Sequence, residues 1–250
     1  MEKQQQQQFP SEEVTLPSKG LLYPKDNPLS KGVIQMKYMT AREEDILTNQ
    51  NLIEKGTVID SLLQSLIVTP IDYNDLLVGD KNAILIAARI LGYGKDYKFQ
   101  YNDKEITIDL TEIKDKPLDE ALVVEGRNDF TFTLPASKVE ITFKLLTHKN
   151  EKAITNELKG LKKINNNASP DLSTRMKHVL SSVGGDYESK TIREFVDNTM
   201  LARDARDLRS HIKKMQPDVD LSFSHEDKRG KFKKVAIPLG LNFFWPDAEL

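Results

Sequence analysis

The stretch DLLVGDKNAILIAARILGYG, from Asp75 to Gly94, decides how the chain is organised. Its centre, Ala83 to Ala88, is apolar nearly all round. A helix of that kind has no face to give to water and belongs at the centre of a core. Asp80 is placed to cap it, and Gly92 and Gly94 to end it. Working upstream, Thr40 opens an earlier helix, and Glu43 completes a capping box. Glu44 and Asp45 add negative charge where the helix dipole favours it. Ile46, Leu47 and Ile53 supply its apolar positions, and Lys55-Gly56 closes it. A second helix carries Val58, Ile59, Leu62, Leu63, Leu66 and Ile67 on one buried face, and Pro70 stops it.

The N-terminal flank is different. Gln4 to Gln8 is a low-complexity tract, and residues 1–15 are expected to be disordered. Leu16 to Pro28, LPSKGLLYPKDNP, is rich in turn formers and reads as an irregular arm leading to a short strand at Val33 to Met39. Downstream of Gly94 the pattern switches to period two. Phe99, Tyr101, Ile106, Ile108 and Leu110 alternate around Asn102-Asp103, a β-hairpin signal. Pro117 to Asn128 is a joint. Phe130 to Leu134 and Val139 to Phe143 predict a second hairpin. Helical spacing resumes from Ile154 to Leu161 and from Leu172 to Val183. A long amphipathic stretch then runs from Ile192 to Met215, and Val219 to Ile237 predicts a third hairpin. The fold class is α+β, without the βαβ alternation of a doubly wound sheet. Two lobes are expected: residues 16–116 (arm, three helices, hairpin) and residues 128–250 (hairpin, helices, hairpin, aromatic tail).

Composition narrows the function classes. The 250 residues carry 36 basic and 38 acidic side chains, a net charge of −2, which excludes a strong non-specific grip on nucleic acid or anionic membrane as the main activity. There is no cysteine, so disulfides, thiol nucleophiles and cysteine-ligated zinc are excluded. The N-terminus lacks the apolar stretch of a signal peptide. The longest uncharged run, Val235 to Pro246, is too short and too proline-rich to span a bilayer. A soluble, unsecreted protein is expected.

No P-loop, GxGxxG, GxSxG or HExxH motif is present, and the reading is non-enzymatic, with no catalytic residue and no cofactor. His148, His178, His211 and His225 are scattered, so no metal site is expected. The alternation Arg203-Asp204-Ala205-Arg206-Asp207 reads as an exposed helix face laced with weak ion pairs. The run Lys228 to Lys234 is basic, but acidic neighbours make it a solvated hairpin tip rather than a nucleic-acid patch. The C-terminus stands apart: Phe243, Phe244 and Trp245 are adjacent, bracketed by Pro238 and Pro246. Three aromatics must pack on the body or on a partner. Held out of a helix by the prolines, they are expected to lie extended, with Phe244 facing away from Phe243 and Trp245. One side would hold the fold and the other would meet a partner.

Four strings in order, LPSKGLLYP, MTAREEDIL, DLLVGDKNAILIAARILGYG and PLGLNFFWP, resemble the T-even-type phage baseplate hub and hub-assembly protein family, over about Leu16 to Pro246. The resemblance implies a non-enzymatic protein of a long-tailed phage, a subunit of the hub or a transient factor for its assembly. It would work in the host cytoplasm and in the virion tail, through contacts with other tail and hub proteins. No small-molecule substrate and no membrane enters that reading. The positions expected to meet partners are Phe243, Phe244, Trp245, Pro246, Arg42 and Glu44, with Thr40, Glu43 and Asp80 as structural caps. The alternative is a module that binds nucleic acid or replication proteins through the basic hairpin at 228–234. The family's cysteine pairs would fall at Gln100 to Asp103 and Phe223 to Phe232, zinc-knuckle positions that here read Tyr101-Asn102-Asp103-Lys104 and Ser224-His225-Glu226-Asp227. Those hairpins are expected to stand by packing alone.

Overall fold

The central helix α4 is the reference for everything around it. The computed structural model describes residues 10–164, 170–226 and 230–244. In chain order, β1 (Ser11–Thr15) and β2 (Val33–Lys37) flank the arm, followed by α1 (Ala41–Leu47), α2 (Gln50–Lys55), α3 (Val58–Leu66) and α4 (Val78–Tyr93). Then come β3 (Asp96–Tyr101), β4 (Lys104–Asp109), β5 (Phe130–Thr133), β6 (Glu140–Phe143), α5 (His148–Ile164), α6 (Asp171–Val179) and β7 (Leu180–Val183). α7 (Ser189–Glu194), α8 (Ala202–Met215), β8 (Ser222–Glu226), β9 (Phe232–Ala236) and α9 (Leu241–Phe244) complete the order. The fold is α+β. Its described strands pair antiparallel as β1-β2, β3-β4, β5-β6-β7 and β8-β9.

In α4, Ile84, Ile86, Ala88 and Arg89 are buried, and Leu85, Ala87 and Ile90 pack partly buried against the same core. The apolar-all-round pattern therefore does what it predicts. Asp80 is not the cap. The helix begins at Val78, and Asp80 lies buried in its first turn. Its carboxylate accepts from Ser18 N–H at 2.9 Å and from Tyr23 Oη–H at 2.6 Å. The Tyr23 hydroxyl in turn accepts from Leu77 N–H at 2.9 Å. Asp80 thus clamps the arm to the helix start. The arm is irregular as expected, but Leu16, Ser18, Leu22 and Tyr23 in it are buried. Residues 11–15, expected to be disordered, form a strand, Ser11–Thr15, registered with Val14 opposite Ile34. The glutamine tract lies outside the described residues.

At the other end of α4, Gly94 takes φ +82° and stops the helix. The buried Arg89 reaches forward, donating from Nη1 to the Gly94 carbonyl (2.9 Å) and from Nη2 to that of Asp96 (3.2 Å). Its guanidinium lies over the rings of Tyr93 and Tyr97 at 5.4 and 6.0 Å. A cation that satisfies carbonyls past a helix end also suits the dipole there. The hairpin β3-β4 turns at Asn102 and Asp103, with φ of 50° and 59°, as the type I′ signal requires.

The single helix expected from Thr40 to Gly56 is two. It breaks at Thr48-Asn49, and Asn49 Oδ1 accepts from Leu52 N–H at 3.3 Å to start α2. The Thr40-Glu43 box is present with its weight reversed. Glu43 is the buried member, and its carboxylate accepts from Thr40 N–H (3.0 Å), Thr40 Oγ1–H (2.6 Å) and Lys37 Nζ (2.7 Å). From the sequence, charge reversal at Glu43 is expected to cost less than loss of the Thr40 cap; the burial of Glu43 leads us to expect the larger loss at Glu43. Thr40→Ala should cost about 1 kcal/mol. Glu43→Ala, which removes a buried carboxylate that accepts from the Thr40 N–H and hydroxyl and from Lys37, should cost about 2–3 kcal/mol. Urea unfolding of both variants checks the order, and equal losses would contradict it.

Leu180–Val183, expected as the end of a helix, is instead the third strand beside β6. The long amphipathic stretch is also broken: a π-helical segment, Phe195–Thr199, follows α7, and α8 starts afresh after Leu201. Within α8, Asp204 is not on an exposed face. It is buried and accepts from Ala136 N–H (2.7 Å) and Ser137 N–H (3.0 Å), holding the β5-β6 turn.

Two lobes, 16–116 and 128–250, are expected from the sequence, and buried contacts cross between them. One hydrophobic cluster runs from Leu16 to Phe244. Hairpin β8-β9 lies on β3-β4 through Phe99–Phe223 (5.2 Å between ring centroids), Tyr101–Phe223 (5.6 Å) and Tyr101–His225 (4.9 Å). These two hairpins are thus neighbours, joined by rings. Asp115 bridges to Val219, and Lys116 N–H donates to the Asp218 carbonyl at 2.7 Å. The described part of the tail is not extended. Leu241–Phe244 forms a helical turn in which Phe243 and Phe244 are both fully buried. Phe243 meets Tyr97 at 4.8 Å, and Tyr97 Oη–H donates to the Pro238 carbonyl at 2.8 Å. Consecutive side chains on a helix turn diverge by roughly 100°, not the 180° of a strand, so both rings reach one core. These two phenylalanines therefore hold the fold and present no partner face. Trp245 and Pro246 lie outside the described residues.

Candidate functional site

Among the described residues, the side chains expected to meet partners do not form one exposed surface. Arg42 and Glu44 are exposed on α1, where Glu44 Oε1 accepts from Tyr93 Oη–H at 3.3 Å. Phe243 and Phe244 are internal. The described cations of the basic hairpin are each engaged. Lys234 pairs with Asp220 at 2.5 Å, Lys231 and Lys233 are likewise engaged, and 227–229 lie outside the described residues.

Each histidine sits in a packed cluster. His211 stacks on Phe132 at 4.6 Å, and His225 meets Tyr101. His148 joins Asp60, Tyr73 and Lys81 between α3, α4 and α5. Asp60 accepts from Tyr73 (3.0 Å) and Lys81 (2.5 Å), Lys81 Nζ lies 3.3 Å from His148 Nδ1, and the Tyr73 and His148 rings meet at 4.7 Å. Burial holds the His148 imidazole below its ordinary value, with Asp60 opposing. This cluster resembles catalytic machinery in residue type, yet its charges are spent on one another. Among the described residues, no group of three or more His, Cys, Asp or Glu could hold a metal ion, and no helix is long and apolar enough to cross a membrane.

His178 and Arg193 share Glu157. Arg193 donates two bonds, at 2.7 and 2.8 Å, and His178 Nε2 lies 3.0 Å away, which ties α5, α6 and α7 together. The Arg193 bonds, with help from His178 and against partial burial, bring the Glu157 carboxyl down to about 2 from its ordinary 4.5. A carboxyl whose folded pKa is depressed contributes stability that is complete above the unfolded value and lost as pH falls towards the folded one. The window is therefore pH 4.5 to 2. Melting temperature followed across it should fall less steeply in Glu157→Gln than in the parent; parallel curves would contradict this.

One cleft has uncompensated chemistry. It is walled by α6 and α8 and encloses about 290 Å³. Leu145 and Leu146 form its floor, and Leu172, Met176, Val179 and Ile212 line its walls. The backbone around it is rigidly tied, with Val78 N–H donating to the Leu146 carbonyl (3.1 Å) and Lys144 N–H to that of Val179 (2.9 Å). Four cations line the same space: Lys144, Arg175, Arg209 and Lys213. Their lone acidic counterpart in the lining, Glu151, is held by Arg175 at 2.5 and 3.0 Å. Arg209 Nη1 is buried without a hydrogen-bond partner. Buried donors are nearly always satisfied, so an orphan beside a cavity calls for an acceptor.

None of these cations stands out in the linear pattern. The available signal was that Arg209, Lys213 and Gln216 share a helix face with the apolar Ile212 alongside. The convergence of Lys144 and Arg175 on that face comes from other elements.

Comparison of the chain with protein-family models, with curated proteins and with solved structures finds no match.

Proposed function

We propose that this is a non-enzymatic protein of a long-tailed phage, a component of the baseplate hub or a factor for its assembly, acting through protein–protein contacts. One observation carries the reading: the four strings behind the resemblance meet around α4. Ser18 and Tyr23 of the first bond Asp80 of the third. Met39 of the second lies against Gly92, and Glu44 bonds Tyr93. Phe243 of the fourth packs on Tyr97, just past the helix. The segments that carry the resemblance therefore share one packed core, which supports reading them together. Hub assembly works by docking surfaces, and the unsatisfied cleft between α6 and α8 is a surface of that kind. A nucleic-acid module has less support, because the described cations of the basic hairpin are already engaged.

The test is mass spectrometry of purified tails and virions, with electron microscopy of particles made without the protein. A hub component is recovered in tails; an assembly factor is absent from tails, which fail without it. Normal tails made in its absence would overturn the proposal.

A further inference from the structure

We propose that the cleft between α6 and α8 is a docking site for a partner-protein segment that presents an apolar side chain flanked by carboxylates. The inference deepens the protein–protein reading above and rests on it for the identity of the partner, not for the chemistry. Two features specify the occupant. The floor and walls are aliphatic, with Leu172 left 56% exposed, so the bound group must have an apolar body. The lining holds four cations against one carboxylate, in a chain whose net charge is −2, so the groove is a local positive site in a mildly acidic protein. Field lines focus in a cleft with low-dielectric walls, which favours an anionic partner.

Arg209 sharpens the argument. Its Nη1 is buried and unpaired, and the sole carboxylate of the lining is bidentate with Arg175 and out of play. A carboxylate from outside supplies what the guanidinium lacks, in the planar geometry that arginine recognises best. A nucleic acid fits less well. Among the described residues no aromatic side chain lines the cleft, so bases find no stacking platform there. Met176, flexible and polarisable, lets the walls adapt to more than one apolar side chain.

The experiment selects from a displayed random-peptide library on the immobilised full chain, then measures the enriched synthetic peptide by fluorescence anisotropy. Recovered sequences should set Asp or Glu beside Leu, Ile, Met or Phe. Affinity should fall about tenfold in Lys213→Glu and in Arg209→Gln, and weaken with added salt. Lys213 and Leu172 are surface positions, so Lys213→Glu and Leu172→Ser keep the test open if an Arg209 variant folds poorly. Leu172→Ser should also weaken binding, whereas Lys190→Glu, at an exposed pair on α7, should not. No enrichment, enrichment without carboxylates, or equal binding by the variants would overturn the proposal. So would a single-stranded oligonucleotide that displaces the peptide in an Arg209-dependent way. The two readings fail separately. Acidic peptides that bind while tails form normally without the protein sink the phage role alone. Tails that need the protein, yet form fully with Lys213→Glu or Leu172→Ser, sink the cleft alone.

Discussion

Asp80→Ala should destabilise the protein by about 3 kcal/mol, far more than loss of a surface helix cap. The substitution strands two buried donors, Ser18 N–H and Tyr23 Oη–H, each worth about 1–3 kcal/mol when left without an acceptor. Part of that cost is returned, because burial pushes the Asp80 carboxyl above its ordinary range, with the Tyr23 and Ser18 bonds pulling the other way. Tyr23→Phe should cost about 2 kcal/mol, since the hydroxyl is both donor to Asp80 and acceptor for Leu77 N–H. Because the two share one network, the double variant should lose less than the sum, by about 1 kcal/mol or more. Urea unfolding measures all three. Limited proteolysis should meanwhile cut the arm between Leu16 and Pro24 before any helix. An Asp80→Ala protein within about 0.5 kcal/mol of the parent would mean that Leu16 and Leu22 hold the arm unaided.

The second large effect is at Gly79. Helix propensity alone favours alanine there by about 1 kcal/mol. The surroundings reverse the sign. A Cβ would lie 1.8 Å from the Pro217 carbonyl oxygen, 2.7 Å from its carbon and 2.8 Å from Asp218 Cα. All three atoms are backbone, and that backbone is tied down: Asn82 Nδ2–H donates to Asp218 Oδ1 at 2.9 Å, and Lys116 pairs with Asp218 at 2.5 Å. Nothing there yields cheaply, so Gly79→Ala should cost about 4 kcal/mol or prevent folding. Two other glycines supply the comparison. At Gly92 a Cβ would meet Met39 Cε at 2.8 Å, the free end of a flexible chain that can move aside. At Gly160 in α5 nothing lies within 4 Å. Gly160→Ala should stabilise by about 1 kcal/mol and Gly92→Ala should be close to neutral, as thermal unfolding would reveal. If Gly79→Ala behaved like Gly160→Ala, the packing of the 217–218 backbone on α4 would be wrong.

Much of the architecture was legible in advance where one local pattern had one meaning. The apolar run at Ala83 to Ala88 could only be a buried helix, and Asn102-Asp103 between alternating residues could only be a tight hairpin turn. Leu180 to Val183 was misread because it fits both periods. It continues a helical spacing, but it also places Leu180 and Ser182 on one buried side of a strand. The free edge of β6 decided between them. The tail was misread for a related reason. Prolines bracketing Phe243 and Phe244 exclude a long helix but not the single turn that lets both rings enter one core.

Of the candidate site, only the shared α8 face of Arg209, Lys213 and Gln216 was legible. Its cations come from Lys144, Arg175, Arg209 and Lys213, on three separate segments, and each looks like an ordinary surface charge in its own neighbourhood.

By itself the amino-acid sequence determined the absence of thiol chemistry, the α+β class, the identity of the central helix and the sharp hairpin after it. These depend on composition or on residues a few positions apart. Only the tertiary structure turned Asp80 from a cap into an anchor for Ser18, 62 positions away, and Glu43 into a buried acceptor. It alone drew buried residues from Leu16 to Phe244 into one cluster and assembled the cleft. The reason is physical: backbone periodicity is settled by near neighbours, whereas the partner of a buried charge is whichever distant segment the topology carries alongside it.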